Sequence, residues 1–179
     1  MQTVKNQVVT EKIPSSLKIK TERLTITEIR QQDKQRYFQL YVDKELNALW
    51  GYDYTEDLGD NKVSPDFFFD LQNKFKVTEK EYAFAVRLDG QMIGELVLYN
   101  PREDGSVEIG FRFFKQYHGK GYAVESAKAL IDYAKNTLGA RQIKGRCFKE
   151  NLQSKALFLR LGFNVCDENS THYFFKLNK

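Results

Sequence analysis

The chain has 179 residues, a formal charge of +4, a 41% hydrophobic fraction and a generous aromatic content of 14 Phe and 10 Tyr. These values describe one domain with a single sizeable core and exclude a disordered polymer, while the modest charge suits an anionic ligand but lacks the clustered basic stripe of a nucleic-acid binder. No apolar run approaches the roughly 20 residues that cross a bilayer and none follows the amino terminus, so a soluble, cytoplasmic protein without membrane contact is expected.

Residues 1–16 are mostly polar, contain Pro14, Ser15 and Ser16, and hold no sustained period, which predicts an N-terminal arm ahead of a single domain over 17–179. Alternation of Leu24 and Ile26 with Thr25 and Thr27 predicts a first strand. Asp33 then caps a helix carrying Tyr37, Phe38, Leu40 and Tyr41. An aromatic loop from Trp50 to Gly59 follows, and Ser64 with Pro65 opens a second helix reaching about Phe75. Next come Tyr82 to Leu88, Met92 to Tyr99 and Ser106 to Phe113, separated by turn residues, an antiparallel meander. From Tyr122 to Leu138 the residues Ala123, Ala127, Leu130, Ile131, Ala134 and Leu138 form one helical face, ended by Gly139. A strand near Gln142 to Phe148, a helix Leu152 to Leu161, the break Gly162 and two closing strands complete the chain. This order predicts an α/β (α+β) fold: a mixed, mostly antiparallel sheet of about seven strands, one junction parallel, flanked by about four helices.

The segment from Phe113 to Ala123 joins a strand to the start of the main helix, and Gly119 and Gly121 let successive NH groups converge there. Together with the helix start this makes a candidate phosphate cradle, to which Lys120 adds a cation. Two glycines before a helix also suit an ordinary turn. A Walker loop would need Ser or Thr after Lys120, where Gly121 stands, and a dinucleotide fingerprint starting at Gly119 would need a small residue where Val124 stands. Cys147 and Cys166 have neither paired nor metal-ligand spacing, and His118 and His172 are the only histidines, so no metal is expected.

HGKGYAVES, preceded by VEIGFRF, resembles the acetyl-CoA loop of the GNAT acetyltransferases, whose pattern is Gln or Arg, two residues, Gly, one residue, then Gly or Ala. His118 takes the first position, a departure, with Gly121 and Ala123 at the fourth and sixth. NLQSKALFLRLGF, carrying Asn151, Ser154, Leu157, Gly162 and Phe163, resembles the second family signature. TERLTITEI and the loop at Trp50 are similar to the branch that contains ribosomal-protein N-terminal acetyltransferases, so the resemblance covers Leu17 to Leu177.

The resemblance implies an acetyl-CoA-dependent N-acetyltransferase acting on a primary amine, foremost a protein N-terminal amine. Pyrophosphate would rest on the NH groups of Gly119 to Ala123, with His118, Lys120, Gly121 and Tyr122 alongside. Pantetheine would pair with Phe111, Arg112 and Phe113, near Asn151, Ser154 and Phe158. An alkyl amine is mostly protonated at neutral pH, so a base is needed, and Glu108 is the first candidate ahead of Glu125 and Glu95. Many family members protonate the leaving thiolate with a tyrosine where this chain has Phe158, which leaves Ser154, Tyr173, Tyr99 or water. Asn151 also reads as a helix cap, and Trp50 and Tyr52 read as either a loop anchor or an acceptor wall. The acidic stretch Asp53, Glu56, Asp57 and Asp60 keeps a polyamine or aminoglycoside acceptor open, and Phe158 keeps a non-catalytic acyl-CoA sensor open. The partners expected are acyl-CoA and an amine, for a monomer or homodimer.

Overall fold

The computed structural model describes residues 13, 14, 16–78 and 81–177. Eight strands form one sheet: β1 Lys18–Lys20, β2 Leu24–Glu28, β3 Glu81–Leu88, β4 Gln91–Tyr99, β5 Ser106–Phe113, β6 Gln142–Phe148, β7 Phe163–Glu168 and β8 His172–Leu177. The order across the sheet is β1-β2-β3-β4-β5-β6-β8-β7, antiparallel at every junction except β5 with β6. Around it lie α1 Lys34–Val42, α2 Lys44–Asn47, α3 Thr55–Leu58, α4 Pro65–Val77, α5 Tyr122–Asn136 and α6 Leu152–Arg160. The mixed, mostly antiparallel fold read from the sequence is present, with more elements than expected. The additions are β1, a three-residue edge strand, and the four-residue helices α2 and α3. None is long enough to show a period.

The expected arm lies largely outside the described residues, but Ile13 and Leu17 are buried in the main cluster. That cluster joins Phe84, Leu96, Leu98 and Ile109 of the sheet to Ala127, Leu130, Ile131 and Ala134 of α5 and to Phe158 of α6. The other face carries a second cluster, in which Ala83, Ala85 and Val97 meet Tyr37, Leu40 and Tyr41 of α1 and Phe68 and Leu71 of α4. Each helix buries one apolar stripe, and small alanines on that face of β3 make room for aromatic rings.

Helix ends follow local chemistry. The Ser64 hydroxyl accepts the Phe67 N–H at 3.2 Å and Pro65 takes the first turn of α4, where no N–H is needed. Gly139, with φ of 75°, ends α5 in the left-handed conformation that favours glycine.

The parallel junction positions the site. β5 and β6 pair only over Ser106 to Glu108 and Gln142 to Lys144. Beyond that rung β5 stays with β4 as far as Phe113, whereas β6 continues with β8 to Phe148. The sheet therefore forks after Glu108. One backbone edge of Ile109 to Phe113 is left without a β6 partner among the described residues.

Candidate active site

Two cavities open at the fork. The smaller, about 490 Å³, lies among the end of β5, the loop entering α5 and the first turns of α6. The larger, about 640 Å³, is lined from the aromatic loop, β3, β4 and β6. They share Leu49, Trp50, Phe111, Asn151 and Ser154, so a ligand group in one reaches a ligand group in the other at that seam.

The loop entering α5 is preformed. Gly119 and Gly121 have φ of 73° and 83°, a region costly for any residue with a β-carbon. Gly121 caps α5 with no side-chain hydrogen bond, which leaves the first NH groups of the helix directed outward. His118 extends the backbone ahead of them, and its Nε2 lies 2.8 Å from the Phe113 carbonyl oxygen. A carbonyl only accepts, so Nε2 carries a proton there and pins the loop to β5. His118, Gly119, Gly121, Tyr122 and Ala123 all line the smaller cavity. The Lys120 ammonium lies 5.8 Å from the centre of the Tyr117 ring, and its carbonyl accepts from Arg23 at 3.0 Å.

Glu125, a weaker base candidate, is tied down on α5. It accepts from Thr21 Oγ1 at 2.5 Å and from the Arg23 N–H at 2.9 Å, and pairs with the Arg23 guanidinium at 2.7 Å. Burial pushes its carboxyl up, but these partners together hold it below the usual carboxylate range. It anchors the β1–β2 turn to the cradle. Glu95, the other alternative, is fully buried and paired with Arg112.

On β5, successive side chains part to opposite faces. Phe111 enters the fork and lines both cavities. Phe113 is buried against Gly94, where a β-carbon would collide with the ring. The Arg112 side chain turns to the α1 face. There it meets Glu95 and Asn47, with its guanidinium 4.7 Å from the centre of the Trp50 ring.

Asn151 caps α6, its Oδ1 accepting from the Ser154 N–H at 3.0 Å, and both residues stand at the seam. The Cys147 thiol lines the larger cavity, where burial pushes it up against the opposing influence of the Ser154 hydroxyl. Phe158, only 1% exposed, packs its ring against Phe111, Phe163 and Phe175 and borders the larger cavity. Trp50 stands at the seam over Gly110. Tyr52 lines the larger cavity and donates to Asp57 at 2.7 Å; burial, then that carboxylate, push its phenol up.

Glu108 occupies the last paired rung before the fork. Its carboxylate accepts from Asn100 Nδ2 at 2.9 Å and lies 3.9 Å from Arg146 Nε. It is flanked by Tyr99, Asn100 and Arg146, all lining the larger cavity. Burial, and next the Glu108 charge, push the Tyr99 phenol up. Of the phenols considered for thiolate protonation, Tyr99 thus borders the larger cavity, while Tyr173 lies under the Lys155 ammonium at 3.9 Å.

A residue overlooked by the sequence reading shares this wall. Glu81 pairs with Tyr99, and Tyr99 with Glu108, so the three side chains project from one row on one face. Burial, then the Glu95 charge, raise the Glu81 carboxyl to about 7. A strand read as starting at Tyr82 left it outside the pattern. No cluster of three or more His, Cys, Asp or Glu capable of holding a metal occurs among the described residues.

Residues 23–164 match the family model described as an acetyltransferase (GNAT) domain. A Bacillus subtilis protein named uncharacterized N-acetyltransferase YnaD is 30% identical over 118 residues, 62% of this chain and 69% of its own length. Spermidine N(1)-acetyltransferase of Escherichia coli K12 is 32% identical over 107 residues, 59% of this chain and 57% of its own. Among solved structures, spermidine N-acetyltransferase from Vibrio cholerae, in complex with CoA and spermine, superposes with a TM-score of 0.73 at 19% identity, covering 87% of this chain and 95% of that one. Mycobacterium smegmatis RimJ, in complex with CoA-disulfide, gives 0.71 at 16% identity, covering 86% and 81%. The two structures share the fold. The family match runs from the turn before β2 to the start of β7 and so encloses the fork, the cradle and the lining of both cavities apart from His172; the chain belongs to the GNAT acetyltransferases, acyltransferases whose fold uses acetyl-CoA.

Proposed function

We propose that this enzyme transfers the acetyl group of acetyl-CoA to a primary amine that enters through the larger cavity. The observation that carries the reading is the meeting of the two cavities at Phe111, Asn151 and Ser154, beside the last rung of the fork.

The donor fits the residues present. Gly119, Gly121, Tyr122 and Ala123 line the smaller cavity at the positive, amino-terminal end of α5, a setting suited to the pyrophosphate. The edge of Ile109 to Phe113 that β6 leaves offers the amides of pantetheine the hydrogen bonds a neighbouring strand would make, except at the Phe113 carbonyl, which His118 holds. The thioester supplies an activated acetyl carbonyl and a thiolate leaving group. Glu108 then receives the proton of the incoming ammonium, directly or through one water, with Asn100 holding its carboxylate. As the N–C bond forms and the C–S bond breaks, the sulfur leaves with the electron pair and is protonated through the Ser154 hydroxyl or water, which regains a proton from the nitrogen as that atom sheds its second proton to become the amide. Phe158 has no proton to give.

Two acceptor classes suit the opening: the α-amine of a protein chain, as the sequence branch implies, and a small polycationic amine, favoured by Glu56, Asp57 and Glu81 on the wall. Thiol release measured with acetyl-CoA against peptides, polyamines and aminoglycosides tests transfer and ranks acceptors. Glu108→Gln is expected to lower turnover roughly 100-fold while calorimetric CoA affinity stays within about twofold. Unchanged turnover removes Glu108 from the chemistry. Tight CoA binding with no thiol released by any amine rejects the enzyme reading in favour of an acyl-CoA sensor.

A further inference from the structure

We propose that Glu81 selects acceptors that carry a second ammonium group, binding it at the end of the larger cavity remote from the reacting amine; this rests on the acetyl-transfer reading above. What carries the inference is the state of this one carboxyl. It lines the cavity, and among the described residues no hydrogen bond or ion pair satisfies it. The neighbouring acids are already engaged: Glu95 is paired with Arg112, and Asp57 accepts from Tyr52. A recessed carboxylate without a partner is costly, and a cation entering the cavity relieves that cost.

Charge distribution points the same way. At the fork, Arg146 offsets Glu108, and Lys144 is the next residue in the row. At the far end Glu81, Glu56 and Asp57 line the wall, and the nearby cation, Arg112, is taken by Glu95. Negative potential therefore gathers away from the reaction point. A monoamine needs one anionic partner, near the acetyl group; this cavity offers a second. Glu81 and Glu108 stand two strands apart, about 10 Å between backbones, comparable to the span of an extended diaminohexane. Tyr99 stands between them in the row, and the rings of Trp50, Tyr52 and Phe148 line the same cavity, giving the methylene chain apolar surface to pack on.

The preference carries a pH signature. The groups facing Glu81 are Glu95 and Tyr99 of β4, Arg112 of β5, Tyr37 and Tyr41 of α1, and Tyr52 and Asp57 of the aromatic loop and α3. Burial pushes all four phenols up, and Arg112 is held charged although burial opposes it. Glu81, raised to about 7, changes charge over neutral pH. It ionises as pH rises through that value, while an alkyl ammonium stays protonated to about 10. Selection for a dication therefore strengthens above neutrality and weakens below it.

The test compares diaminohexane with hexylamine, and diaminobutane with butylamine, by thiol release from pH six to eight. The ratio of kcat/KM within each pair cancels the titration of the base common to both. The wild type is expected to favour the diamine about tenfold or more, with a ratio that rises through neutral pH. Glu81→Gln should lower kcat/KM for each diamine about tenfold more than for its monoamine, bringing the ratio near one and flattening it; Glu81→Asp should restore part of both effects. No diamine preference in the wild type, or equal losses for both amines in Glu81→Gln, overturns the proposal and leaves acetyl transfer standing. Failure of every amine to release thiol sinks the acetyl-transfer reading instead. Calorimetric titration of diaminohexane into the CoA-loaded protein then decides the role of Glu81 independently: tighter binding to wild type than to Glu81→Gln supports it, and equal binding rejects it. If Glu81→Gln does not fold, Glu81→Asp carries the same comparison, and a selectivity identical to wild type counts against the proposal.

Discussion

Gly145 lies on β6 just past the fork, and the Phe158 ring fills the space a β-carbon would need. Gly145→Ala must displace that ring from Phe175 and Phe163, overpacking a site with little room to give. The expected loss is about 1–3 kcal/mol, read as a lower denaturant midpoint with an unchanged slope. A midpoint equal to wild type would show that α6 shifts freely. This contact also gives Phe158 its physical role. The sequence shows that no phenol stands there, but its lack of a polar group leaves open what the ring does, and only the packing places it in the core. His118 is similar: its departure from the loop pattern was legible, whereas its hydrogen bond to Phe113 depends on how the loop folds back over β5. Glu81 was illegible because its meaning comes from pairing two strands away, and a single strand's alternation carries no information about register.

Among the elements, those with sustained periods were readable. α5 places Ala127, Leu130, Ile131 and Ala134 on one buried face, and the meander of β3, β4 and β5 alternates between separators rich in turn residues. β1, α2 and α3 are too short to announce themselves and form only against β2 or within the aromatic loop. α6 is the element where cap and site coincide, since Asn151 Oδ1 takes the Ser154 N–H while both residues stand at the seam of the cavities. Asn151→Ala is expected to cost about 1 kcal/mol of stability through the lost cap. Asn151→Asp keeps an accepting oxygen and removes the amide donor, so stability should return while CoA affinity stays reduced several-fold if the side chain also serves pantetheine. Denaturation and calorimetry on both variants separate these roles. Full recovery of CoA affinity in Asn151→Asp would reduce Asn151 to a cap.

At the scale of the whole molecule, the forked strand must be tied to the helical layer that roofs the larger cavity. Arg112 makes that tie. From β5 its guanidinium reaches Glu95 on β4, donates to Asn47 Oδ1 and underlies the rings of Tyr41 and Trp50 at 4.3 and 4.7 Å. Asn47 in turn donates to the carbonyls of Leu40, Tyr41 and Asp43 at 2.7, 3.0 and 2.7 Å, gathering the end of α1 onto the same point. The pairing carries a cost: among the described residues, Glu95 Oε2 and Arg112 Nε are buried without hydrogen-bond partners. Removing one charge is therefore expected to hurt more than removing both. Arg112→Met strands the Glu95 carboxylate in the core and should cost about 3–5 kcal/mol, whereas Arg112→Met combined with Glu95→Met should recover most of that. Stability and activity are expected to part in the double variant. An apolar pair packs but cannot hold Asn47, so Trp50 loses its support and the acceptor KM should stay raised about tenfold or more, with CoA affinity, set by the cradle on the other side of the fork, nearly unchanged. Denaturation curves for the single and double variants, with acceptor KM measured beside CoA titrations, check both halves. If the double variant regains stability and acceptor KM together, the pair serves packing alone; if the single variant is no less stable than the double, the two charges are not coupled.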